Sequence, residues 1–282
     1  MFAHQVIEDI RKGGIFDEEG IIERSSTVIM NAQKFHLGEY HSIRNLFKND
    51  EGKEVFSERK YLFPPYKTVW IDCFHDRSPE YDYSLQDLSF TFCSKYAVLL
   101  DVSQNGTWHV FGFFYFEHYR HWQMMPMIQH ISFSDSLHVI PKLLKINGFN
   151  PTDKDNESLC DSAIHILMLL YCGIRLLNCK NIQTETIKAP EALNKKRRRN
   201  GKQEIFDYHV LNVVVPGKKR GYSPETEPLS HNRVHLCRGH FKEYTSEHPL
   251  FGHLTGLYWW QPHVRGQNKS GIVVKDYNVK TA

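Results

Sequence analysis

The sequence lacks most of the features that would place it in a membrane or outside the cell. No apolar run reaches the roughly 18 residues that a membrane-spanning helix needs. The first residues, Met1 to Gln5, lack the basic segment and the apolar stretch of a secretory signal. The six cysteines are scattered without a CxxC pair, which argues against a disulfide framework or a zinc ribbon. We therefore predict a globular cytoplasmic protein with reduced thiols.

Charge is distributed unevenly along the 282 residues, although the formal net charge is only +3. From residue 191 onward there are 16 Lys/Arg against 8 Asp/Glu, a balance of +8, whereas the first 190 residues carry 19 against 24, a balance of −5. A local excess of positive charge favours a polyanionic partner. We predict a helical and antiparallel-sheet portion over residues 1–190 and a basic, His/Arg-rich functional portion over 191–282. The two are also compatible with one continuous domain.

Apolar periodicity predicts an α+β fold with a mainly antiparallel, aromatic-rich sheet and packing helices on one side of it. Asn105-Gly106 between two aromatic runs is a strong hairpin signal. The C-terminal portion is expected to contain strands, with 256–264 paired to 271–279. The predicted helices are the segment before Gly13, 21–35 and 158–177, and the predicted strands are 68–74, 88–100, 108–117, 127–133, 207–215, 256–264 and 271–279.

Two groups of His, Arg and Gly lie within the last fifty residues, at 235–240 and 263–266. They bracket a Pro-Leu-Phe-Gly loop at 249–252 and an aromatic strand that contains Tyr258-Trp259-Trp260. Packing alone rarely requires so many side chains that transfer protons, bind phosphate and stack on bases. This segment is therefore the leading candidate for a functional site.

Metal-free cleavage of RNA needs a base for the 2′-hydroxyl, an acid for the leaving 5′-oxygen and fixed cations on the phosphate. Imidazole can play either proton-transfer role at neutral pH, and arginine binds phosphate through paired hydrogen bonds. A turn at 252–256 can fold strand 256–264 back against the segment that carries His240, so we predict one shared pocket. The predicted catalytic residues are His235, Arg238, His240, Tyr244 and His263.

Structural roles compete with this interpretation. His235 and His240 would then satisfy buried backbone carbonyls, and the arginines would form salt bridges. A zinc site on the histidine pairs His235/His240 and His248/His253 is disfavoured, because no carboxylate or cysteine pair completes a signature and HExxH is absent. No metal or other cofactor is predicted. Asp72 and Asp101 lie near strand ends without a partner motif, and we predict that both are structural.

Two basic segments extend the candidate site in the sequence. The run at 195–199 fits a phosphate clamp, a localisation signal or a solvated loop next to turn residues. Residues 218–222 combine cations with a tyrosine, as single-stranded nucleic-acid grooves do. We expect these cations to form a contiguous positive face. The predicted RNA-binding residues are Lys195, Lys196, Arg197, Arg198, Arg199, Lys218, Lys219, Arg220, Lys242, Trp260 and Arg265.

The pattern H-x-x-R-G-H-[FW] at 235–241, followed by Tyr244 and by W-Q-P at 260–262, resembles a family of phage and mobile-element proteins. That family includes the type V-A anti-CRISPR AcrVA-two. The upstream layout is also similar, with an aromatic sheet, an apolar helix and then Asn194-Lys195-Lys196. The resemblance implies a host-defence inhibitor that acts on RNA or translation in the host-cell cytoplasm. The chain departs from the anti-CRISPR branch at 249–252 and 263–266, so the same target is not implied.

Two classes of function follow from these residues. The first is a phage or mobile-element effector that promotes mRNA cleavage as a metal-independent endoribonuclease. The second is a non-catalytic protein that docks on the ribosome or on a host protein and recruits or blocks a host nuclease. The expected partners are RNA or the translating ribosome, and also a nascent or host defence protein, with no membrane involved. A DNA-binding regulator ranks last because no helix-turn-helix is evident.

Overall fold

The computed structural model describes residues 1–12, 20–39, 62–74, 93–117, 120–133, 137–143, 153–214, 235–237, 239–260 and 263–265. These ranges contain four helices and twelve strands, which makes the protein α+β, as predicted. The helices are α1 (Ala3–Arg11), α2 (Ile21–Asn31), α3 (Asp153–Asn178) and α4 (Glu191–Arg199). The strands are β1 (Gln33–Glu39), β2 (Thr68–Phe74), β3 (Cys93–Val102), β4 (Trp108–Phe116), β5 (His121–Phe133), β6 (Leu137–Leu143), β7 (Ile182–Ile187), β8 (Tyr208–Val213), β9 (His235–Cys237), β10 (His240–Tyr244), β11 (Gly256–Trp260) and β12 (His263–Arg265).

Eight strands form one mixed sheet in the order β6-β5-β4-β3-β2-β1-β8-β7. Consecutive strands from β2 to β6 pair with one another in antiparallel orientation, whereas β1 pairs in parallel with both β2 and β8. The predicted β3–β4 hairpin is confirmed, and Gly106 in its turn has φ of 82°. That left-handed conformation explains the glycine, because a side chain there would be strained. Strands β1, β6 and β7 of this sheet were not predicted as strands.

The helices pack on both faces of the sheet, so the prediction that they cover one side is wrong. Helices α1 and α2 cover one face, where Ile7 and Ile29 join a core cluster with Trp70, Phe113 and Trp122. Helix α3 packs on the opposite face and contacts β2, β3 and β5. Successive strand residues point to opposite faces. Trp70 therefore faces α1 and α2, while its neighbour Ile71 faces α3.

Two glycines allow α3 to approach the sheet closely. A Cβ at Gly173 would overlap Cδ1 of Ile71 in β2, and a Cβ at Gly112 would lie 2.9 Å from Cγ1 of Ile166. The apolar content of 158–177 correctly predicted a helix against the sheet. Ile164, however, is 47% exposed, so the helix is not buried on every side.

One predicted helix is partly wrong. Residues 21–35 do not form a single helix, because α2 ends at Asn31 and β1 begins at Gln33. Ala32 has an extended backbone, and the buried Lys34 donates hydrogen bonds to the carbonyls of Met30 (3.0 Å) and Ala32 (2.8 Å). A lysine at this position stabilises the end of the helix, since its carbonyls lack intrahelical partners.

The chain divides into two compact units. The first contains Met1–Asn178 and Thr184–Asn212, and the second contains Cys179–Gln183 and Val213–Ala282. The basic run therefore belongs to the first unit and the His/Arg-Gly segments to the second. In the second unit, β11 pairs with β10. The strand 271–279, which was the predicted partner of 256–264, lies outside the described residues.

Candidate functional site

The two His/Arg-Gly segments that the sequence analysis identified as the candidate site lie on an antiparallel hairpin. Strand β10 pairs with β11 from His240↔Trp260 to Tyr244↔Gly256. Strands β9 and β12 continue the same register, with Cys237 opposite His263. The expected folding of residues 256–264 back against the segment that carries His240 is therefore present in the backbone.

The side chains of β10 alternate between two faces of the hairpin. Phe241 points to one face, where its ring centre lies 4.8 Å from that of the buried Trp259. His240, Lys242 and Tyr244 share the other face with Tyr258 and Trp260. The first face stabilises the second unit, and the second face presents polar side chains.

The polar face combines a cation with aromatic rings. Nζ of the exposed Lys242 lies 4.9 Å from the centre of the Tyr244 ring, and that ring meets Tyr258 edge to face at 5.5 Å. Tyr258 is buried, while His240, Tyr244 and Trp260 are half-buried. The indole nitrogen of Trp260 is buried and has no hydrogen-bond partner among the described residues. These groups can bind an anion and stack on a planar ring.

The tip of the hairpin is a compact turn. The amide of Gly252 donates to the carbonyl of Pro249 (3.3 Å), and that of Leu254 donates to Leu250 (2.9 Å). Phe251 has φ of 52°, which non-glycine residues rarely adopt, and its side chain is 37% exposed. The tip thus presents an aromatic ring to solvent on a left-handed backbone.

The predicted catalytic residues are only partly described. His240 and Tyr244 lie on the polar face of β10, and His235 and His263 lie on the paired strands β9 and β12. Arg238 lies outside the described residues. The side chains of His235, His263 and Arg265 are also outside them, so a shared pocket stays a prediction.

The basic run forms helix α4 rather than a loop. Lys195, Lys196 and Arg199 are exposed, and no ion pair involves them within the described part of the chain. Arg197 instead pairs with Glu8, and its Nε donates to the carbonyl of Gln203 at 2.6 Å. The run therefore divides into solvent-facing cations and structural ones.

Arg198 also has structural partners. It bridges the carboxylates of Glu191 (2.9 Å) and Glu204 (2.8 Å), and these hydrogen bonds raise its pKa. Buried Asn194 bonds both backbone groups of Ile205, at 2.8 and 2.9 Å, and holds the following segment against α4. Of the predicted RNA-binding residues, Lys218, Lys219 and Arg220 lie outside the described residues.

A second cluster, in the first unit, was missed by the sequence analysis. Asp72 is fully buried in β2, and its Oδ2 accepts hydrogen bonds from the Phe2 amide (2.7 Å) and the Trp70 indole (2.8 Å). Its Oδ1 lies 2.6 Å from Nδ1 of His36, which is opposite it on the parallel strand β1. The only sequence signal was an acidic residue inside the apolar run of β2.

Comparison of the chain with known proteins identifies no family. The chain matches no protein-family model, no curated protein and no solved structure. Among the helices that the structure describes, none is long and apolar enough to cross a membrane. The described side chains also contain no group of three or more His, Cys, Asp or Glu placed to hold a metal ion.

Proposed function

We propose that this protein acts on RNA as a phage or mobile-element effector that promotes mRNA cleavage. The observation that carries the proposal is the polar face of β10, where His240, Lys242 and Tyr244 alternate beside aromatic residues. An imidazole, an ammonium group and aromatic rings are the groups that proton transfer, phosphate binding and base stacking require. The resemblance of the 235–241 motif to the anti-CRISPR family supports the same reading.

Each residue of the polar face has a role in the proposal. Lys242 is exposed and contacts a phosphate, and Tyr244 stacks on a base. His240 transfers a proton, together with His235 or His263 as the second imidazole. Pairing of His263 with Cys237 supports this combination, because it holds the two backbone segments side by side. Arg238 and Arg265 are proposed to bind the phosphate.

In the proposed reaction, one imidazole takes the proton of the ribose 2′-hydroxyl, and the 2′-oxygen attacks the neighbouring phosphorus. The bond from phosphorus to the 5′-oxygen breaks, and the second imidazole gives a proton to that oxygen. The products are a 2′,3′-cyclic phosphate and a free 5′-hydroxyl. Neither a metal ion nor an external cofactor enters the step.

The experiment that tests the proposal is incubation of the purified chain with end-labelled RNA in the presence of EDTA, followed by mapping of the ends. We expect cyclic-phosphate ends from the wild-type protein and intact RNA from His240→Ala. His253→Ala is the matched control, because His253 is exposed at the hairpin tip and its imidazole bonds only to the Phe251 carbonyl in the described structure. Equal cleavage by all three proteins would assign the activity to another site or to a contaminant.

A non-catalytic docking protein is the second candidate function. The observation that favours it is Phe251, whose exposed ring at the hairpin tip suits insertion into an apolar pocket of a host protein. Binding of intact RNA or ribosomes by the wild-type protein, with no cut ends in the same assay, would favour this candidate. Phe251→Gly would then lower the affinity for the partner without straining the turn.

A further inference from the structure

We propose that a cluster in the first unit, consisting of His36, Asp72, Phe74, Lys95 and Tyr208, binds a ribonucleotide and that Nε2 of His36 accepts a hydrogen bond from its ribose hydroxyl. The proposal goes beyond the RNA-directed function of the hairpin and does not depend on it. It rests on the hydrogen bonds, ring contacts and exposure of these residues.

The hydrogen bonds of the Asp72 carboxylate determine which nitrogen of His36 carries a hydrogen. Both donors to Oδ2 of Asp72, the Phe2 amide and the Trp70 indole, supply N–H groups, so this oxygen is satisfied. Oδ1 then accepts from Nδ1 of His36 at 2.6 Å. Because a carboxylate can only accept, Nδ1 carries the hydrogen, and in the tautomer with its hydrogen on Nδ1 the Nε2 atom presents a lone pair. Nε2 has no hydrogen-bond partner among the described residues.

The imidazole ring of His36 is accessible to solvent. The carboxylate of Asp72 is completely buried, whereas 18% of the His36 side chain is exposed. An imidazole that only filled the core would satisfy both nitrogens internally, as buried polar groups usually do. The hydrogen bond to buried Asp72 instead fixes the orientation of His36, and Nε2 is the ring nitrogen left for a ligand hydroxyl.

Aromatic rings surround His36. Phe74 stacks on it with ring centres 6.0 Å apart and an interplanar angle of 19°. Tyr208 and Phe2 meet it edge to face at 6.1 and 5.9 Å. Phe74 is 37% exposed, although it lies in the sheet. An exposed ring beside an oriented imidazole offers a stacking platform for a planar base.

Lys95 supplies a positive charge to the cluster. Lys95 lies directly opposite Phe74 on β3, and its Nζ is 3.9 Å from the centre of the Tyr115 ring and 5.3 Å from that of Phe2. No carboxylate pairs with it within the described part of the chain. A cation held only by aromatic faces is available to a phosphate. Stacking surface, cation and hydroxyl acceptor together match a ribonucleotide.

The full chain is titrated with adenosine monophosphate, with its 2′-deoxy analogue and with inorganic phosphate. Calorimetry and the NMR signals of His36 measure the binding in each titration. We expect the ribonucleotide to bind roughly 3- to 10-fold more tightly than the deoxy analogue, the ratio expected for one neutral hydrogen bond. Equal affinity for the two nucleotides, phosphate binding as tight as nucleotide binding, or no binding of any probe would each overturn the proposal.

Variants assign the ligand to the cluster. Phe74→Ala should weaken binding of both nucleotides, whereas Lys202→Gln, an exposed cation elsewhere in the unit, should not. His36→Phe keeps the ring packing and should abolish the preference for the ribonucleotide. If His36→Phe does not fold, the wild-type comparison and Phe74→Ala still decide. Loss of binding in Tyr244→Ala with retention in Phe74→Ala would place the nucleotide on the hairpin and overturn the assignment.

Discussion

The side-chain amide of Asn181 bonds both backbone groups of Trp259. Its Nδ2 donates to the carbonyl at 2.7 Å, and its Oδ1 accepts from the amide at 2.9 Å. The neighbouring Lys180 amide donates to the carbonyl of Leu257 at 2.8 Å. Asn181 is buried. Its side-chain amide bonds to β11 in the way that the backbone of a neighbouring strand would. The candidate hairpin is anchored by this contact within the second unit.

Replacement of Asn181 should destabilise the second unit. Asn181→Leu leaves the amide and carbonyl of buried Trp259 without partners, which should lower the free energy of unfolding by about 1–3 kcal/mol. Chemical unfolding monitored by tryptophan fluorescence measures the effect. Asn212→Ala is the control, since Asn212 is exposed and bonds Glu185 at the surface. Equal stability of the two variants would show that water replaces the lost bonds.

The two classes of cation in α4 should separate in their effects. Arg197→Ala breaks a half-buried ion pair with Glu8 and a bond to the Gln203 carbonyl, so we expect a loss of about 1–3 kcal/mol of stability. Arg199→Ala should leave the thermal midpoint unchanged and weaken RNA binding. This expectation replaces the sequence-based one, in which Arg197, Arg198 and Arg199 were all predicted to bind RNA. A stable, weakly binding Arg197→Ala variant would contradict it.

Salt should weaken RNA binding if the polar face and α4 contact phosphates. Each contact releases counterions, so the logarithm of the affinity falls linearly with the logarithm of the salt concentration. Lys242→Gln should reduce that slope by about 0.7 for single-stranded RNA. Fluorescence anisotropy over a range of salt concentrations measures both quantities. Binding that is unchanged between low and high salt would sink the electrostatic part of the proposal.

His240→Ala should lower the rate of RNA cleavage by about 10²–10⁴-fold while the protein stays folded. Single-turnover kinetics measure the rate, and circular dichroism measures folding. If the variant unfolds, the half-buried imidazole is a structural residue. If it folds and keeps full activity, His240 contributes at most to docking, and the non-catalytic function takes the lead.

Stability should depend on pH through His4 in α1. Burial lowers the pKa of His4 to about 4, and the nearby Arg197 guanidinium adds to the shift. The unfolded chain, with a pKa near 6.5, therefore binds more protons between about pH 4 and 6.5, and stability falls as the pH falls through this window. The loss is on the order of 3 kcal/mol. His4→Leu should flatten the profile, whereas His248→Leu, at an exposed position, should not.

The elements that the sequence predicted well are those specified by neighbouring residues. Asn105-Gly106 defined the β3–β4 hairpin, and the apolar run of α3 defined a helix against the sheet. The predicted helix 21–35 included the first three residues of β1, because the pairing of β1 with β2 and β8 is not visible in local periodicity. The basic run was compatible with a solvated loop beside turn residues, whereas it forms α4, and Asn194 holds the segment after this helix through Ile205, 11 residues further along the chain.

The candidate sites follow the same division. His240, Lys242 and Tyr244 were selected from the sequence by their chemistry, but strand β10, which places them on one face, was not predicted. The pairing of His36 with Asp72 is not readable from the sequence, because it requires the parallel register between β1 and β2. The ion pair of Arg197 with Glu8 likewise joins residues at opposite ends of the first unit's sequence.

The central position of β1 sets the order in which the sheet can be completed during synthesis. Its pairing with β2 becomes possible once Phe74 has emerged, but its pairing with β8 requires His209 and Val210. At about 5–20 residues per second, β1 keeps an open edge for a period on the order of ten seconds. An exposed edge is a template for pairing with other chains. Nascent chains of this protein therefore expose the edge of β1 from its pairing with β2 until β8 arrives.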